Sequence, residues 1–327
     1  MPPLAPGLRR GVAGPTRRQV LGAAAALPCS GYAALGGLVS MVPAGAAAAP
    51  MPAGAATRWL TSSDGVRLHY LEAGRSAPGQ PTVVLVPGWT MPAWIWARQV
   101  EHLAGRLRVL AFDPRGQGSS AVAAGGYDYA RRATDVAELL AAASCERVVL
   151  VGWSLGVLES LRMMHDVRGT AACDRIAGLV LVDNSVGEGT PPAGPSTFLP
   201  RLRARRRETV STFVQGMFRR PQPRAWLDEL TEAALRMPLQ ASVALLSQPT
   251  PREFWRETLY AVEQPVLYAH TPRFSRQAEL VRARKPGIET AAFDEAGHAL
   301  FVDEPERFNQ LLDGFIARLP APGVPTR

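Results

Sequence analysis

The chain has 327 residues, 47% of them hydrophobic, enough for a packed core in one large domain or two small ones. Its formal net charge of +8 is carried almost wholly by arginine. Residues 1–56 hold four arginines and no acid; without them 32 basic face 28 acidic residues, which gives no reason to invoke nucleic acid. With five histidines, three cysteines and no C-x-x-C, H-E-x-x-H, G-x-G-x-x-G or Walker A pattern, no metal or organic cofactor is expected.

In chain order, the basic pair Arg17-Arg18 comes first, followed by an Ala/Gly/Leu stretch and A-x-A-like points between Ala44 and Ala49. The order Thr16-Arg17-Arg18-Gln19-Val20-Leu21 resembles a twin-arginine export signal, an address read by a receptor. That resemblance implies a removable segment over 1–49, export machinery contacting Arg17 and Arg18, and a periplasmic or secreted product with no stable membrane anchor. A transmembrane helix is the alternative, since the stretch approaches the ~20 residues a span needs. Gly22, Pro28, Gly31, Gly36 and Gly37 interrupt it. Lipidation of Cys29 is disfavoured by Pro28 before it.

Next, RWLTSS and VRLHYLEAG flank Asp64-Gly65, a hairpin signature. Apolar runs follow at 82–88, 107–113, 147–153, 177–184 and 264–271, with a further strand opening 288–298. Near-continuous apolar runs predict strands buried on both faces of a parallel sheet. Helical patterns lie between them at 93–104, 128–143, 155–166, 275–284 and 305–318. The alternation predicts an α/β fold with a mostly parallel eight-stranded sheet, helices on both faces and an antiparallel hairpin at one edge. Residues 186–262 break the rhythm: they show no strand pattern and run helical between proline clusters. An insert of that length exceeds an ordinary loop and predicts a helical cap. The core then divides into 57–185 and 263–319.

Ser154 stands in Gly152-Trp153-Ser154-Leu155-Gly156, after a strand pattern and before a helix pattern. Such a turn exposes a hydroxyl and aims a helix N-terminus at it, while the small residues let strand and helix approach. A hydroxyl needs a base, and His298, after the last strand, is the best placed. His69, His102 and His165 lie in the edge hairpin and on helices; His270, ending the penultimate strand, is second choice.

VVLVPGWT, FDPRGQGSS, GWSLG and AGHALFVDEPERF, in that order, resemble the α/β-hydrolase superfamily over nearly all of 57–319. The resemblance implies a Ser–acid–His triad with Ser154 and His298. The commoner acid position, after the penultimate strand, reads AHTPRFSRQAEL and holds no Asp; its first acid is Glu279. Asp183, ending the preceding strand, takes the alternative position some members use, reachable because adjacent strand ends lie ~5 Å apart. The rivals are an absent acid, or Asp294 or Glu295 in a sharply folded loop. By resemblance the oxyanion donors are the backbone N–H groups of Trp89 and Leu155. Pro87-Gly88 replaces the family's frequent His-Gly, sparing the Trp89 donor.

The resemblance assigns Asp113 and Arg115 to loop fixing. Trp153 and Trp94, with Trp96, are expected to line or floor a substrate pocket, helix packing being the alternative for Trp94 and Trp96. The run Arg201, Arg203, Arg205, Arg206, Arg207 reads as a solvated helix face, or as a patch for anionic substrates or membrane. Cys145 and Cys173 precede neighbouring strands at the same end, so a disulfide is conceivable in an exported protein. The expected function is an exported serine hydrolase acting on a small-molecule ester, lactone or thioester through an acyl-enzyme. Perhydrolase, haloperoxidase-like or lyase chemistry on the same triad, and a non-catalytic binding protein, are the alternatives. Epoxide hydrolases and haloalkane dehalogenases are disfavoured because they use Asp where Ser154 stands.

Overall fold

Five strands with continuous apolar sequence form the middle of the sheet: β3 (Thr82–Val86), β4 (Val109–Asp113), β5 (Val148–Trp153), β6 (Ile176–Val182) and β7 (Val266–His270). Nearly every residue in them is buried, because helices cover both faces. The edges are β1 (Ala56–Thr61), β2 (Arg67–Ala73) and β8 (Glu289–Ala292), which are more polar or alternate. The computed structural model describes residues 51–190 and 197–321. The expected export signal over 1–49, with Arg17, Arg18 and Cys29, lies outside them. Among the described residues no helix is long and apolar enough to cross a membrane.

The eight strands run in the order β1-β2-β4-β3-β5-β6-β7-β8. β1 and β2 pair antiparallel around the turn at Gly65, and β2 is antiparallel to β4; every other pairing is parallel. Every expected strand is present. α1 (Ala97–Ala104) packs against α12 (Pro305–Ala317), while α2 (Tyr129–Ala142) packs on α3 (Leu155–Val167). Asp128 caps α2 by accepting the Arg131 N–H at 2.9 Å. Strand order reverses direction at β3, and the crevice beyond the strand ends at such a point is where α/β sheets hold their sites.

Between β6 and β7 the described residues form five helices and no strand: α5 (Phe198–Ala204), α6 (Arg206–Gln215), α7 (Arg224–Leu235), α8 (Leu239–Leu246) and α9 (Arg252–Ala261). The arginine run here is not one solvated face. Arg207 pairs with Glu232 and Arg205 with Glu208, but Arg206 turns inward and donates to the carbonyls of Leu235, at 2.9 Å, and Met237. Those carbonyls, at and just past the end of α7, are ones the helix itself leaves without donors.

The conceivable disulfide is absent: Cys145 and Cys173 are free thiols. Cys145 is buried, whereas Cys173 lies in the short helix α4 (Ala171–Asp174), where its sulfur accepts from Gln264 at 3.4 Å. Cys173 thus lies in a helical turn before β6, its sulfur facing Gln264.

Asp113 and Arg115 fix loops as expected. The Asp113 carboxylate accepts the Ala93 N–H at 2.5 Å and the Ser119 N–H at 2.8 Å, and lies 2.7 Å from His69 Nδ1. Arg115, fully buried, holds Asp135 through two 2.7 Å bonds and Asp64 through two more. Hydrogen bonds from Arg115 hold the Asp64 carboxyl well below the usual carboxylate range. Removing the guanidinium takes two hydrogen bonds from the buried Asp135 and leaves it only Arg131, at 2.9 Å, so Arg115→Leu is expected to cost about 3 kcal/mol in urea unfolding. A loss under 1 kcal/mol would show that the network is not holding the loop.

Candidate active site

Ser154 sits between β5 and α3 with φ 53° and ψ −119°, a conformation that L-residues avoid. The packing around it enforces the turn. A Cβ on Gly152 would lie 2.3 Å from the Gly156 carbonyl oxygen, and one on Gly156 would lie 2.5 Å from that of Val86. Only hydrogen fits at either place. The Ser154 N–H donates to Val182 O at 2.9 Å, and the Asn184 side-chain amide donates to Ser154 O at 2.6 Å.

His298 reaches this hydroxyl from the loop after β8. Its Nε2 is 2.8 Å from Ser154 Oγ, and its Nδ1 is 2.8 Å from Asp183 Oδ2. Asp183 is buried at the end of β6, with φ 48°. Its other oxygen accepts both the N–H and the hydroxyl of Thr271, at 2.7 and 2.8 Å. The carboxylate therefore has fixed donors on one oxygen and the imidazole on the other. It holds the ring with Nδ1–H toward Asp183 and Nε2 free to accept from Ser154. The imidazole is about a quarter exposed, so a ligand can approach it.

The other candidates stand elsewhere. His270 is buried, its Nδ1 3.0 Å from Thr271 O. His102 pairs with Asp313, and His165 rests on the Phe254 ring. Glu295 pairs with Arg219, and Glu279 with Arg276.

The loop carrying Trp89 lies directly over Ser154. A Cβ on Gly88 would fall 3.0 Å from Ser154 Cβ. Leu155 opens α3, so its N–H is one of the amides a helix leaves free. The Trp89 N–H donates to no protein group among the described residues. Its indole points away into the helical insertion, donating to Ser242 O at 2.9 Å between the rings of Phe198 and Phe213.

The tryptophans divide. Trp153 is fully buried behind the imidazole and donates to His298 O at 2.8 Å, so it supports the ring rather than lining an open pocket. Trp96 stacks on Phe301 in the core with centroids 3.8 Å apart. Trp94 meets Trp226 of α7 edge-on at 5.8 Å, at the seam with the insertion.

A model of the alpha/beta hydrolase family matches residues 83–311, which includes all of these groups. The chain belongs to that family. This alpha/beta hydrolase is 29% identical over 265 residues to N-formylmaleamate deformylase of Pseudomonas putida, covering 78% of this chain and 92% of that protein. It is 27% identical over 252 residues to a pimeloyl-acyl-carrier-protein methyl ester esterase of Aeromonas hydrophila, covering 72% and 95%. An esterase structure from Rhodococcus sp. superposes with a TM-score of 0.69 at 25% identity, covering 81% of this chain and 99% of that one.

Three supporting residues of this hydrolase were not singled out from sequence. Thr271 was invisible because its partner Asp183 is 88 residues away in the chain. Asn184 holds the elbow and is itself held: its carbonyl accepts from the Tyr268 hydroxyl at 2.9 Å. Burial pushes that phenol well above its ordinary pKa, so it stays a donor. Asp303 is buried and accepts the N–H groups of Gly297 and Arg219, each at 2.7 Å, and of Arg220 at 3.2 Å. It joins the His298 loop to the segment between α6 and α7. The signal for it was an acid five residues after His298. Replacing it by Asn removes one charged acceptor, worth about 1–3 kcal/mol. Asp303→Asn is expected to speed amide hydrogen exchange at 217–220 and 297–299 while leaving β5 protected; unchanged exchange there would refute the link.

Proposed function

We propose that this alpha/beta hydrolase is a serine enzyme that cleaves carboxylic esters through an acyl-enzyme. The observation that carries this is the unbroken line from Thr271 through Asp183 and His298 to Ser154, each contact at 2.7–2.8 Å. The hydroxyl attacks the ester carbonyl while His298 Nε2 takes its proton. Asp183 stabilises the imidazolium and keeps the ring in the working tautomer. The oxyanion that forms sits against the N–H groups of Leu155 and Trp89. His298 then returns the proton to the departing alkoxide, leaving an acyl group on Ser154. Water, deprotonated by His298, releases the acid and regenerates the serine. Two of the relatives described above are named esterases, and the third a deformylase, which supports attack on an acyl carbon.

The helices α5–α9 act in this proposal as the cap that shapes the substrate site. Their aromatic contributions near the oxyanion loop, Phe198 and Phe213 around Trp89 and Trp226 against Trp94, favour apolar ester groups. Export to the periplasm or beyond rests on the Thr16-Arg17-Arg18-Gln19-Val20-Leu21 pattern alone.

A fluorophosphonate probe is expected to label the wild-type protein at Ser154 and to leave Ser154→Ala unlabelled. Absence of labelling in folded protein would sink the serine mechanism. Asp183→Asn is expected to keep the fold but lower nitrophenyl-ester turnover on the order of 10³–10⁴-fold, because the imidazolium loses its counter-charge. Full activity in that variant would remove Asp183 from the machinery. Arg17→Lys with Arg18→Lys is expected to retain the protein in the cytoplasm of a host with twin-arginine export, checked by fractionation; unaltered export would discard that route.

A further inference from the structure

The segment Gly88–Met91 is a tight turn, closed by the Met91 N–H donating to Gly88 O at 3.2 Å. Trp89 and Thr90 are its central residues. Thr90 has φ 62°, the left-handed region that a turn of this kind normally gives to glycine. A β-branched residue there is strained, so something must hold the turn in this form.

Gln117 does so. Its side chain is fully buried, and its amide nitrogen donates to both ends of the turn, to Gly88 O at 3.0 Å and Met91 O at 2.6 Å. Its amide oxygen accepts from Arg132 Nη1 at 2.8 Å. A flipped amide would face two carbonyls with an acceptor and a guanidinium with a donor, so only one orientation satisfies all three contacts. Arg132 Nε in turn lies 2.6 Å from Glu159 Oε1, with both side chains fully buried. Glu159 is on α3, four residues after Leu155 and therefore on the same face one turn along. The chain Glu159–Arg132–Gln117 thus runs from the helix that begins with one oxyanion donor to the turn that carries the other.

We infer that Gln117 is a positioning residue that holds the Trp89 N–H in register with the Leu155 N–H across the carbonyl to be attacked. It touches no substrate. Without its two donors the turn can relax the strain at Thr90 by rotating its peptide planes, which re-aims the Trp89 amide. This inference rests on the serine hydrolase proposal and refines its oxyanion site.

The test uses the full chain and two variants. Gln117→Met keeps the length and removes every polar contact. Gln117→Glu keeps the shape and the contact to Arg132 but loses the donors. Turnover of nitrophenyl acetate is expected to fall about 10- to 100-fold in both, less than or equal to deletion of a donor itself. KM should stay within about threefold. Affinity for an aryl trifluoromethyl ketone, whose serine adduct carries the oxyanion, should fall in parallel with kcat. In Gln117→Met, which adds no titratable group, the pH midpoint of kcat/KM should not move, because His298 and Asp183 are untouched. If Gln117→Met melts below assay temperature, Gln117→Glu carries the kcat, KM and ketone measurements. A kcat within twofold of wild type, a ketone affinity that does not follow kcat, or a shifted pH midpoint in Gln117→Met would overturn the inference. A wild-type protein that no fluorophosphonate labels would overturn the hydrolase proposal itself, whereas a labelled wild type with an unaffected Gln117→Met overturns only the role of Gln117.

Discussion

The close approach of helix α3 to the ends of strands β3 and β5 sets the geometry on which the rest depends. At Gly152 and Gly156 the backbones are so near that a methyl group would overlap a carbonyl oxygen. The chain can make that approach only by passing Ser154 through a left-handed backbone conformation. This costs conformational energy and is sustained by the surrounding packing. Its consequence is chemical: the hydroxyl is lifted off the sheet, and the first amide of α3 is left pointing at the space above it.

Around that turn the structure places polar groups that hold one another. Asp183 is buried, and three contacts converge on it: two from Thr271 and one from His298. The ring of His298 is in turn backed by Trp153, which grips the residue's own carbonyl. Each supporting contact removes a rotation that the site would otherwise have to freeze when a substrate binds. Asp303 extends the same logic outward, tying the His298 loop to the insertion, while Trp89 ties the opposite loop to α8. The helical insertion therefore anchors both flanks of the site, so its packing and the alignment of the His298 and Trp89 loops are mechanically linked.

Much of this was legible in the sequence. The strands were visible as apolar runs because a parallel sheet covered on both faces asks the same thing of every residue in it. Ser154 and His298 were visible because each sits in a local pattern, the glycine-flanked turn and the Gly-His loop before the last helix. Asp183 was found less directly, from the absence of an acid where the commoner arrangement has one. Thr271, Asn184, Asp303 and Gln117 were not picked out, since each acts on a partner that only folding brings near. Arg206 shows the opposite failure. Its neighbours in sequence are surface arginines, yet it turns inward to cap α7.

The sequence by itself determined the order of strands and helices, the identity of the nucleophile and base candidates, and the presence of a helical insertion, because each is written in residues close together along the chain. Tertiary structure alone decided that Asp183 meets the imidazole, that Trp153 stands behind the ring instead of lining a pocket, and that the two cysteines stay apart. Those outcomes depend on which strand ends become neighbours and on how the connecting helices pack beside them. Spacing along a chain does not encode such distances; the hydrogen-bonded register of the sheet and the packing of helices upon it do.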